Sequence, residues 1–237
     1  MTVNEVGSQS FIIGTDVPGS GVDEEVNAAL ATPHVLGVTS LWLLLPVYVG
    51  VVQTALLTAD WFGWLRLLII VANMVASVVY WGYFNDEGSI ALHVDVNLAR
   101  LTVSTHFVYA LIRSRTYALV GVVGTALITS LYTASYRASI RRSPGLVKLT
   151  YHLLFRYVGF WEVYILHSNT SIAPAWWVVF VVTSAVYFGH AYAVFWTFSS
   201  AIGYESRLAA MGLLVIGTGI FTHFWTMPQQ QGHGGVI

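Results

Sequence analysis

Seven ionisable side chains fall within stretches that are otherwise apolar: Asp95, His106, His152, Arg156, Glu162, His190 and His223. Charge at membrane depth is costly, so each is a candidate for ligand binding, proton transfer or a buried ion pair. The competing reading for each histidine is a hydrogen bond to a neighbouring helix, or a place near the membrane interface. The four histidines lie on four different stretches, and nothing in their spacing selects haem ligation. A hydrolytic zinc site needs three protein ligands and an open position. The chain has no His-x-x-x-His pair and no cysteine, so a zinc-dependent lipid hydrolase ranks last. Neither enzyme activity nor a metal is expected.

Glu162 follows Trp161 and precedes Val163-Tyr164, an aromatic setting with little to solvate a charge. It reads as a proton carrier or as a neutral spectator near the interface. Arg156, six residues earlier, falls on another face of the same helix. Because histidine titrates near neutral pH, His106, His152 and His190 join Glu162 as candidates for a proton relay. Asp95 opens its stretch within His93-Val94-Asp95-Val96-Asn97. Facing inward it would be the counter-ion of a buried cation; at the helix start it would be an N-cap. Both readings fit.

The elements that must position these groups follow from composition. Of 237 residues, 56% are hydrophobic and only 9% charged, where soluble domains carry about 25% charge. A mean hydropathy of +0.69 agrees, and together they exclude a soluble globule and a disordered chain. Ten basic residues against eleven acidic ones leave no field for a nucleic-acid partner. The absence of cysteine excludes disulfide scaffolds and thiolate chemistry. A lipid bilayer is the partner that remains. A spanning helix needs about 20 apolar residues, and seven stretches approach that length. They run roughly 36–59, 64–84, 95–112, 117–136, 146–167, 175–198 and 207–226. The expected architecture is all-α, a single seven-helix transmembrane bundle over residues 36–227. A polar acidic tail (1–35) precedes it and a flexible tail (228–237) follows. The first span is expected to act as its own insertion signal, since residues 1–20 lack the features of a signal peptide.

Arginine and lysine near the ends of the spans set orientation. With the N-terminus inside, six cytoplasmic residues (Arg100, Arg137, Arg141, Arg142, Lys148, Arg207) oppose three external ones (Arg66, Arg113, Arg115). A cytoplasmic N-terminus and an external C-terminus follow. The sequon Asn169-Thr170-Ser171 would then face outward.

These features resemble the heliorhodopsins, seven-helix retinal proteins inserted with the N-terminus inside. The fourth stretch carries Ala118-Leu119, then Gly124 and Leu131-Tyr132. The sixth starts at Pro174 and carries Tyr187-Phe188, Ala191, Ala193 and Trp196. Gln53 and Trp161 match a glutamine and a tryptophan of the family, although Phe160 replaces the proline before the latter. Val94-Asp95, 23 residues before Ala118, resembles a Val-Glu step that holds the counter-ion. The seventh stretch, with Glu205, Arg207 and Leu213 to Ile220, is similar to the retinal-bearing helix. A histidine of the first helix has no counterpart, since Gly50 stands there.

The resemblance implies a membrane photoreceptor and homodimer with retinal as cofactor. Trp161, Tyr187 and Phe188 would form the wall of the retinal site, with Asp95 as counter-ion. Retinal would attach as a Schiff base to a lysine between Gly217 and Thr218. The chain has one lysine, Lys148, and none at that junction. It is then either a relative without covalent retinal or one whose attachment residue is not among these 237. Light-gated passive proton conduction is the further expectation, with Glu162 as the first relay. The reading from another class is a non-photoactive polytopic membrane subunit or scaffold.

Overall fold

The computed structural model describes residues 31–48, 51, 61–86, 88–141, 145–167, 176–197 and 203–226. Residues 1–30 of the expected N-terminal tail, the expected C-terminal tail, Gly50, Gln53, Arg142, Pro174, the sequon and the side chain of His223 lie outside them. The described residues form seven helices and no strand: α1 (Ala31–Tyr48), α2 (Trp61–Tyr83), α3 (Ile90–Arg113), α4 (Arg115–Ile140), α5 (Gly145–His167), α6 (Trp176–Trp196) and α7 (Tyr204–Thr226). The fold is all-α. Segments Ala31–Tyr48, Trp61–Tyr83 and Arg115–Ala138 are long and apolar enough to cross a membrane. Helices α3, α5 and α7 have the length, at 24, 23 and 23 residues, but carry more polar side chains.

Local chemistry explains where the helices start and bend. Ser89 caps α3: its hydroxyl accepts the Leu92 N–H at 3.1 Å, one of the donors a helix start leaves unpaired. Asp95 therefore lies in the second turn of α3 and is not an N-cap. Helix α1 is already formed at residue 31, five residues before the expected boundary. It tightens to a 3-10 turn over Ser40–Leu43. Pro46 follows immediately and can donate no hydrogen bond back to the Trp42 carbonyl, which weakens the regular ladder there.

Chain neighbours pack side by side from α2 through α5, but α1 takes the centre. Its residues Val35, Leu36, Val38, Thr39, Ser40 and Trp42 are all buried, which a helix on the rim could not achieve. The Trp42 ring meets Phe160 of α5 at 5.8 Å and Tyr187 of α6 at 5.5 Å, both edge-on. Gly37 and Gly82 let the Tyr204 ring lie directly on α1 and α2, and the Tyr204 hydroxyl donates to Val78 O at 3.0 Å. That contact fixes the start of α7 against both helices. Farther along, Gly219 approaches Leu45 and Tyr48 of α1.

Two arginines expected at the ends of spans lie within helices. Arg66 is buried in the second turn of α2 with its guanidinium 3.2 Å from the centre of the Tyr109 ring, a stabilising cation–π arrangement. Arg100 sits mid-way along α3 and is exposed. Without them the remaining counts are five against two, so the direction of the bias stands.

Candidate functional site

Four polar side chains from four helices converge beside α1. On α5, Arg156 donates from Nη1 to Leu36 O at 2.5 Å and to Ser40 Oγ at 2.7 Å, both on α1. Its guanidinium lies 5.8 Å from the Trp81 ring of α2. Ser77 of α2 donates to Oδ1 of Asp95 on α3, and both are buried. Asp95 lies within the electrostatic reach of Arg156 without touching it. The site thus holds one carboxylate and one guanidinium, each tied to a serine. Hydrogen bonding of this kind is what makes charge tolerable away from water. Neither Arg156's role nor Ser77 or Ser40 was foreseen. A charged residue six positions from Glu162 was visible, but its partners come from α1 and α3, more than 60 residues away.

The three expected wall residues do come together. Tyr157 meets Tyr187 and Phe188 at 5.0 Å each and Trp161 at 6.2 Å. Tyr187 is 1% exposed and its hydroxyl donates to Leu153 O at 3.3 Å. Between α5 and α6 these rings make one contiguous cluster, and Trp42 of α1 fills its inner side. Edge-on and offset contacts at such separations stabilise beyond the area they bury.

The expected relay groups are dispersed. Glu162 is buried against Gly124 of α4, whose absent Cβ leaves room for the carboxyl, and it accepts from Thr125 Oγ1 at 3.4 Å. His106 is 1% exposed, with Nδ1 2.7 Å from Thr102 O and Arg66 nearby. His152 lies edge-on to Trp81 at 5.4 Å and beside Phe155 at 4.5 Å. His190, half-buried on α6, has no partner for Nε2 among the described residues. Glu162, His152 and His190 make no hydrogen bond to one another. No three His, Asp or Glu side chains among the described residues gather as a metal site would need.

Attachment of retinal at the expected α7 junction does not fit these residues. A Schiff base needs a primary amine, and α7 offers none. Gly217 is exposed, while Thr218 is buried and returns its hydroxyl to Leu214 O at 2.8 Å. Gly82 and Tyr204 touch, Ser77 precedes Gly82 by five residues, and Thr218 follows Tyr204 by fourteen. At 1.5 Å per residue, Asp95 and the Gly217/Thr218 junction are then about 13 Å apart along the bundle. The cation facing Asp95 is Arg156, and the inner side of the aromatic cluster is taken by Trp42. No family model, curated protein or solved structure matches the chain.

Proposed function

We propose that the chain is a non-photoactive polytopic membrane protein, a subunit or scaffold whose seven helices all cross the bilayer. Residues 1–30 are cytoplasmic and the C-terminus external in this reading. The single observation that carries it is Arg156. Its guanidinium supplies from within the chain the cation that a protonated Schiff base would otherwise provide, and it bonds α5 to α1. Ser77 and Asp95 join α2 to α3 beside it. The polar residues then serve to fix helix positions where apolar packing against lipid tails gives no directional preference.

The photoreceptor reading, with retinal, a homodimer and light-gated proton conduction, is the second proposal. The meeting of Trp161, Tyr187 and Phe188 around Tyr157 favours it. One experiment separates the two. Purified protein is incubated with all-trans-retinal, reduced with borohydride and weighed intact. The first reading predicts the bare 26.0 kDa chain and no visible absorption band before reduction. A retinyl adduct together with a visible band would establish the second, and voltage-clamp recording under light would then test conduction.

A further inference from the structure

A cavity of about 600 Å³ opens between α4 and α5, and neither Asp95 nor Arg156 lines it. Arg137 and Arg141 line it together with Ser130, Thr133 and Ala134 of α4, and Val147 and Tyr151 are among the residues that close it from α5. Arg137 and Arg141 are four residues apart, one turn of α4, so both guanidinium groups can address the same ligand. Among the described residues neither side chain has a partner, and both are exposed. No Asp or Glu occurs anywhere from Val96 to Trp161, so α4, its connection and most of α5 carry no anion of their own. Lys148 adds a further positive charge at the start of α5. A ligand with an anionic oxygen cluster, a phosphate above all, is what two adjacent guanidinium groups bind best.

The shape says which phosphate. The lining runs from Thr129 to Arg141, about 18 Å along the helix axis, close to one leaflet of a hydrocarbon core about 30 Å thick. Charge is confined to the end at the helix terminus. Toward the middle of α4, Thr133 turns its hydroxyl back to Thr129 O at 2.7 Å and so presents its methyl, alongside Ala134. A free phosphate would need only the arginine end, whereas a phospholipid uses the whole length. We propose that this groove binds one anionic phospholipid, its phosphate between Arg137 and Arg141 and an acyl chain along α4 toward Thr129. It rests on α4 and α5 both crossing the membrane; α4 has the length and apolarity by itself. The orientation proposed above puts the site in the cytoplasmic leaflet, where anionic lipids concentrate.

The test uses the full chain in detergent, titrated with dioleoyl-phosphatidylglycerol, dioleoyl-phosphatidylcholine or inorganic phosphate, with bound lipid counted by native mass spectrometry. One phosphatidylglycerol should be retained in preference to phosphatidylcholine, and inorganic phosphate at equal concentration should not displace it. Each arginine near the surface accounts for about 5-fold in affinity, so Arg137→Gln/Arg141→Gln should lose about 25-fold. Arg115→Gln, at the other end of α4, should lose nothing. Ala134→Trp, which fills the groove and keeps both arginines, should also weaken retention. Equal retention of the two lipids by the wild-type chain would overturn the proposal, whatever the variants do. Displacement by inorganic phosphate would reduce the site to a plain anion site and overturn the lipid assignment. Bilayer crossing is read by other means, so failure here leaves the proposed function standing.

Discussion

Arg156→Met should destabilise the folded chain by about 2–3 kcal/mol, and adding Asp95→Asn should recover part of that loss. The single variant leaves a buried carboxylate without its cation and deprives Leu36 O and Ser40 Oγ of a donor. Removing one partner of a fully buried charge pair costs about 3–5 kcal/mol. The lower figure applies here because Arg156 keeps some exposure and does not touch Asp95. Neutralising Asp95 in the same chain removes the unpaired charge, while Ser77 can still donate to the amide oxygen. Reversible unfolding in mixed detergent–SDS micelles measures both, and the double-mutant cycle isolates the coupling. Strict additivity would show that the two groups act separately and would remove the charge pair from the account.

Tyr204→Ala should cost more, about 3–5 kcal/mol, the range for emptying a buried aromatic position. The ring is 7% exposed and lies on the bare backbone of Gly37 and Gly82, with His34 and Tyr83 edge-on to it at 5.3 and 5.5 Å, so the two glycines offer no side chain to collapse into the space it leaves. Tyr204→Phe removes only the bond to Val78 O and should cost about 1 kcal/mol. Gly82→Val tests the same contact from the other side. A Cβ there overlaps the Tyr204 ring, and overpacking of this kind costs about 1–3 kcal/mol. The ordering Ala, then Val, then Phe, from largest loss to smallest, is the expected result in the same unfolding assay. Equal losses for Tyr204→Ala and Tyr204→Phe would mean that the hydroxyl, and not the ring between two glycines, holds α7.

Apolar runs in this chain are long enough that their count and order match the seven helices among the described residues, and α2 and α5 start within three residues of the expected positions. The inward placement of Asp95 was one of two readings. The choice was available at Ser89, a strong capping residue six positions earlier and just before the apolar run. The aromatic grouping of Trp161, Tyr187 and Phe188 came from the resemblance; in the structure each of the three rings touches Tyr157. What stayed hidden is pairing across long sequence separations. Burial on all sides of α1 depends on which helices enclose it, and an apolar helix reads the same at the rim or in the middle. Likewise Arg156 and Ser77 become partners of α1 and Asp95 only once the bundle closes. Gly37 and Gly82 gave no periodic signal, since each is explained only by the Tyr204 ring that rests on it.

Whether all seven helices cross the bilayer is best tested by single-cysteine labelling, because the chain has no cysteine to remove. Cysteines replace Ser143, Ser171, Ser199 or Gly235 one at a time, and intact cells are treated with a membrane-impermeant maleimide. Seven crossings with residues 1–30 inside predict that Ser171→Cys and Gly235→Cys are labelled, and that Ser143→Cys and Ser199→Cys react only after permeabilisation. Labelling of all four from outside would mean that only α1, α2 and α4 cross, and would contradict the seven-span account.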